Sequence, residues 1–241
     1  MISVLLYQRY PLMRLLLFLP LSFALLSSIA AEAVKPRIAL AGDSTVTDKA
    51  GWGAAFARLL VPEVECINFA GGGQSSKSFR DTGSWKKVMN AKPAFVLIQF
   101  GHNDMPGKGP KRETDPATTY RENMIRYVDE VRAAGAQPIL VTSMVRRTFD
   151  NGKIRGELKP WADAVTKIGA EKQVPVVDLF ARSLELLEKL GPTASDEFNP
   201  PGKDAKTTDH THLNAKGAEV MAEIIADDLR KVAPELAKLL K

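Results

Sequence analysis

Four short polar segments carry the residue types that acyl transfer requires. Ser44, in RIALAGDSTVTD, offers a hydroxyl nucleophile directly after an apolar run, and Gly42 permits a tight turn there. Taken alone, Asp43-Ser44 reads equally well as a cap for a following helix. The glycines at 71–73, in NFAGGGQSSKSF, let the backbone approach a ligand with its N–H groups turned inward, as an oxyanion donor or simply as a flexible turn. Their spacing matches neither a dinucleotide fingerprint nor a phosphate loop. Asn103, in FVLIQFGHNDM, is a neutral side-chain donor flanked by His102 and Asp104. Asp209 and His212, in TTDHTHLNAKGAE, are three residues apart. Within one turn the carboxylate can hold the imidazole by Nδ1–H and leave Nε2 free as a base. His210, adjacent to Asp209, is expected to point elsewhere.

Together the segments would supply a nucleophile, a base, a group that orients it, and two kinds of oxyanion donor. A metal-dependent phosphoesterase also places Asp, His and Asn at strand ends, but it needs several ligands close together. The chain has three histidines and none near Asp43 in sequence, so neither a metal nor a cofactor is expected. A glycan-binding module without turnover would not need the full set.

These segments must be brought together by the elements between them. Five apolar runs are bounded by turn or loop residues: Arg37–Ala41, Val64–Ala70, Ala94–Phe100, Pro138–Thr142 and Val174–Leu179. RIALA, AFVLIQF and PILVT are nearly continuous, as strands buried on both faces are. Helical spacing lies between them. It appears in Thr118–Ala134, through Trp161, Val165 and Ile168, and after Asn214 through Val220, Met221, Ile224, Ile225 and Leu229, where Pro234 should break the helix. Alternating strands and helices predict one α/β domain, a three-layer α/β/α sandwich on a parallel sheet of about five strands. Such a sheet gathers the ends of its strands along one edge, where three of the polar segments begin. Pro106–Pro116 and Gly191–Thr208 read as irregular segments, either cleft walls or solvated loops.

Residues 1–33 have the layout of a secretory signal peptide: Arg9 and Arg14, the apolar run Leu15–Leu26, then small residues with cleavage expected after Ala30, Ala31 or Ala33. About twelve apolar residues interrupted by Pro20 fall short of the roughly 20 that span a bilayer, so no stable membrane anchor is expected. The domain is then 34–241, secreted or periplasmic. Without the leader the charge falls from +5 to +4, with no basic run, so nucleic acid is not an expected partner. Cys66 is the only cysteine, which rules out an internal disulfide.

The four blocks GDSTVTD, NFAGGGQSS, GHND and DHTH, in this order from Gly42 to His212, resemble those of the Ser-Gly-Asn-His (GDSL-type) hydrolases. The resemblance implies a flavodoxin-like fold. It implies Ser44 as nucleophile and oxyanion donor through its own N–H, Gly73 and Asn103 as the other donors, and Asp209 and His212 as the rest of a triad. Ser-Thr after Asp43, the wording NFAGGGQSSKSF, and RRTFDNGK after the fourth strand resemble the rhamnogalacturonan acetylesterases within that family. The implied substrate is an acetylated, anionic pectic polysaccharide. Acetylxylan esterase, lipase and thioesterase are the alternatives. Arg146 and Arg147, with the loop Lys108–Arg112, are then expected to contact substrate carboxylates, the alternative being that these charges are solvated.

Overall fold

The computed structural model describes residues 35–202 and 207–241, and the predicted leader lies outside them. β1 (Arg37–Gly42), β3 (Phe95–Gln99) and β4 (Gln137–Val141) are buried on both faces, which is why they read as continuous apolar runs. With β2 (Glu65–Asn68) and the short β7 (Val176–Val177) they form one parallel sheet in the order β2-β1-β3-β4-β7. β5 (Phe149–Asp150) and β6 (Lys153–Ile154) pair as a separate antiparallel hairpin. All five predicted strands are present, the last reduced to two residues.

Alternation along each strand divides the core in two. Ile38, Leu40, Leu97 and Ile139 face one layer, built from α1 (Gly53–Arg58) and α7 (Ala215–Val232) through Trp52, Phe56, Met221, Ile225 and Leu229. Ala39, Ala41, Val96, Ile98 and Leu140 face the other. There α2 (Ser78–Asp81), α3 (Ser84–Asn90), α4 (Thr119–Ala133) and α5 (Lys159–Lys172) bring Phe79, Trp85, Tyr127, Val128 and Val165 against the sheet. Each such side chain contributes about 1.5–3 kcal/mol on burial. The two layers on one sheet hold the strand ends in fixed register.

The segment predicted as irregular from Gly191 is partly helical. α6 (Leu179–Ser195) runs into it, kinked where Gly191 takes φ 74° and Pro192 starts a new helical stretch. α7 begins after an Asn214 cap and ends at Val232, and α8 (Pro234–Ala237) restarts at the predicted breaker. Cys66 is half-buried on β2, where burial and the charge of Asp48 push its thiol up to about 12.

Candidate active site

The sheet order changes direction between β1 and β3, the point where an open α/β sheet leaves a crevice beyond its strands. Ser44 follows β1 and Asn103 follows β3. At the end of β1 the chain turns, with the N–H groups of Val46 and Thr47 donating to the carbonyls of Asp43 and Ser44 at 3.2 and 3.3 Å. Gly42 serves this turn by its lack of bulk, since a Cβ there would stand 2.5 Å from Val46 Cγ2 and 2.7 Å from the Gln99 carbonyl.

Asp43 points inward. Its Oδ1 accepts from the N–H and hydroxyl of Thr45 at 2.9 and 2.7 Å. Thr45 Oγ1 accepts from Gln99, which accepts from the indole N–H of Trp52 at 2.9 Å. The helix-cap alternative is not how Asp43 is used, because α1 starts only at Gly53 and has no side-chain cap. The sequence places no histidine near Asp43, yet folding brings His102 Nδ1 to 3.5 Å from Asp43 Oδ2, with both side chains sealed from solvent. Burial would push the Asp43 carboxyl up, but His102 and Thr45 outweigh it and hold it below the usual value. With Asp43 turned in, half-buried Ser44 is turned out.

His212 arrives from the turn before α7. Its Nε2 lies 2.8 Å from Ser44 Oγ, and its Nδ1 lies 2.7 Å from Asp209 Oδ2. Asp209 Oδ1 accepts from the N–H groups of Thr211 and His212 at 2.9 and 3.0 Å. Partial burial raises the Asp209 carboxyl, but these bonds and the imidazole prevail and bring its pKa to about 2. A carboxylate, an imidazole and a hydroxyl in line at these distances can move a proton from oxygen to nitrogen. His210 faces Asn199 and Asp196 instead, as its position beside Asp209 implied.

The glycine run lies alongside. Gly71 N–H donates to the Gly42 carbonyl at 3.1 Å, and Gly73 takes φ 74°, a conformation costly for any residue with a Cβ. Asn103 Nδ2 donates to the carbonyl of Gln74, the residue after Gly73, at 3.0 Å, which makes the two expected donors neighbours. One amide proton of Asn103 is left for a ligand.

The family model of the GDSL-like lipase/acylhydrolases matches residues 38–225. The chain belongs to that family. It is an ester hydrolase. It is 36% identical over 213 residues to the rhamnogalacturonan acetylesterase RhgT of Bacillus subtilis (strain 168), covering 81% of this chain and 90% of that one. A crystal structure of another Bacillus subtilis protein superposes with a TM-score of 0.70 at 25% identity, over 82% of this chain and 56% of that one. A catalytic mutant of Axe2, an acetylxylan esterase from Geobacillus stearothermophilus, superposes with a TM-score of 0.62 over 82% of this chain and 94% of that one. At 19% identity that likeness is one of fold.

Within this GDSL-like hydrolase the basic residues separate by depth. Arg147 is a correction to the sequence reading: it is 2% exposed and bonds Asn199 and the carbonyls of Asp209 and His212, so it cannot reach a substrate. Arg146 is partly buried rather than sealed, donating to the His102 carbonyl at 3.3 Å and pairing with Glu157 at 3.4 Å. Arg112 Nη1 lies 3.6 Å from where a Cβ on Gly73 would stand. Burial, then the charges of Arg146 and Arg112, push the Lys108 ammonium below its usual range. Lys108 and Arg112 pair with no carboxylate among the described residues.

Sequence reasoning noted Asp104 only as a flank of Asn103. Its buried carboxylate accepts from the N–H and hydroxyl of Ser76 and from the Thr114 hydroxyl at 2.8 Å, tying the loop after β3 to itself and to the segment that follows the glycine run. Burial raises its pKa to about 7 despite those donors. The folded state therefore holds a proton that the unfolded chain releases near pH 4, and this group's contribution to stability falls as pH rises from about 4 to about 7. Asp104→Asn keeps an acceptor oxygen and removes the titration. Urea unfolding between pH 5 and 7.5 should show a shallower decline in stability for the variant. Identical slopes would show that Asp104 does not hold that proton.

Proposed function

We propose that this ester hydrolase is exported and removes acetyl groups from an acetylated, carboxylate-bearing polysaccharide, pectic rhamnogalacturonan, through an acetyl-enzyme on Ser44. The observation that carries the reading is the relay Asp209–His212–Ser44, at 2.7 and 2.8 Å. Ser44 Oγ attacks the acetyl carbonyl as its proton passes to His212 Nε2, and Asp209 steadies the imidazolium. The N–H groups of Ser44 and Gly73 and the amide of Asn103 receive the oxyanion. His212 returns the proton to the departing sugar oxygen. Water, deprotonated by His212, then releases acetate and restores Ser44.

Two observations support the choice of substrate. The relative at 36% identity is a rhamnogalacturonan acetylesterase. Lys108, Arg112 and Arg146 also gather positive charge, with Arg112 beside Gly73, while Glu157 pairs with Arg146 and Glu113 turns to the Gly109 N–H. A guanidinium can hold a uronate in bidentate fashion. Export is supported by the leader-like sequence at 1–33.

The test is acetate release from acetylated rhamnogalacturonan, acetylated xylan and a neutral aryl acetate, using exported protein whose N-terminus is sequenced. Pectic acetate should be preferred, and the mature chain should begin at Ala31, Glu32 or Val34. Arg112→Ala should raise KM for acetylated pectic oligosaccharides by about tenfold, the range of a hydrogen bond to a charged group. It should change kcat/KM for the aryl acetate less than twofold. Equal use of xylan and pectin, indifferent to Arg112 and to salt, would remove the carboxylate from the proposal.

A further inference from the structure

Arg147 lies under the Asp209–His212 segment, which it holds with both backbone and side chain. Its N–H donates to the His210 carbonyl at 2.9 Å. Its Nη2 donates to the carbonyls of His212 and Asp209, the latter at 3.4 Å, and its Nε donates to Asn199 Oδ1. One residue thus gathers three of the four carbonyls from 209 to 212. Asn199 extends the clamp by donating to Asp196 and facing His210.

A sealed guanidinium is an expensive way to fill space. Desolvation lowers the Arg147 pKa to about 10, with the charges of Asp209 and Asp196 pulling the other way, so it remains a cation at neutral pH. The rest of the segment is held at its far end, where Leu213 N–H reaches the Ala50 carbonyl and Asn214 caps α7. Between those anchors and the strand ends, the peptide planes on which Asp209 and His212 ride are fixed from within by the turn onto Asp209 Oδ1 and from outside by Arg147. Pinning those planes fixes where both side chains start, and hence the alignment of the relay.

We propose that Arg147 is a positioning residue that acts through His212, keeping the imidazole in line between Asp209 and Ser44. The proposal rests on the reading of that relay as catalytic. Arg147→Lys keeps a charge but loses the fork, and Arg147→Met keeps the volume and loses every side-chain donor. With a neutral aryl acetate, which needs no carbohydrate contacts, Arg147→Met should lose about 100-fold in kcat with KM within twofold, the scale of a misplaced catalytic group. Arg147→Lys should recover part of that loss.

A merely structural residue would show a different pattern in the double variant. In a His212→Ala background, Arg147→Lys should change the residual kcat less than twofold, because the group it positions is gone. A second readout needs no turnover: the downfield Nδ1 proton of His212 in the NMR spectrum should broaden or move in Arg147→Lys. Full kcat in a folded Arg147→Lys, or the same fold-loss with and without His212, would overturn the proposal. Esterase activity that survives Ser44→Ala would instead overturn the catalytic reading, and the His212 resonance would still decide the positioning.

Discussion

Ser44→Ala is expected to lower kcat for acetyl-ester hydrolysis by about 10⁴–10⁶-fold, the range seen when one member of a serine triad is removed. The loss should come without loss of fold. Among the described residues Ser44 Oγ has one side-chain partner, His212 Nε2, whereas the turn itself is held by backbone bonds and by the inward Asp43, none of which alanine disturbs. The variant should match the wild type in circular dichroism and unfolding midpoint while releasing acetate at a rate near the limit of detection. An organophosphate that labels the wild type stoichiometrically should leave the variant unlabelled. A folded Ser44→Ala protein with a tenth of wild-type activity would sink the acetyl-enzyme mechanism.

Asn103→Ala carries the second largest expected effect, a fall in kcat of about 10²–10³ with a much smaller change in KM. The reason is the timing of the contact. The spare amide proton of Asn103 meets a weak acceptor in the ester carbonyl and a strong one only when negative charge develops on that oxygen. The bond from Asn103 to the Gln74 carbonyl is lost in the same variant, and Gly73 sits one residue before Gln74. Steady-state kinetics on an aryl acetate separate the outcomes. If KM rises and kcat holds, Asn103 is a ground-state contact and its assignment as an oxyanion donor is withdrawn.

Much of the site was legible because its signals are local. A continuous apolar run followed at once by Gly-Asp-Ser or Gly-His-Asn-Asp reports a buried strand and what lies at its end, and neither inference needs a distant residue. The arginines behave differently. Arg146 and Arg147 are adjacent and of one type, and nothing nearby in sequence says which is sealed. That depends on carbonyls at 209–212, more than 60 residues later, meeting one of them. The pairing of Asp43 with His102 and the proton on Asp104 are long-range in the same sense, since both follow from what β3 and its loops bring against β1 and Ser76. α6 was obscured by Gly191-Pro192, a turn signal that the fold uses as a kink.

Cys66 bears on where such a protein can fold. Thiol–disulfide exchange proceeds through the thiolate, and a thiol whose pKa stands at about 12 presents only about 10⁻⁵ of its population in that form at pH 7. The folded domain therefore offers almost nothing for a disulfide catalyst or an oxidant to seize, and with one cysteine it has no internal bridge to form. Its covalent structure is the same under glutathione as in an oxidising exterior. For a chain with a leader-like N-terminus, the folded domain then asks for no disulfide chemistry from whatever compartment receives it.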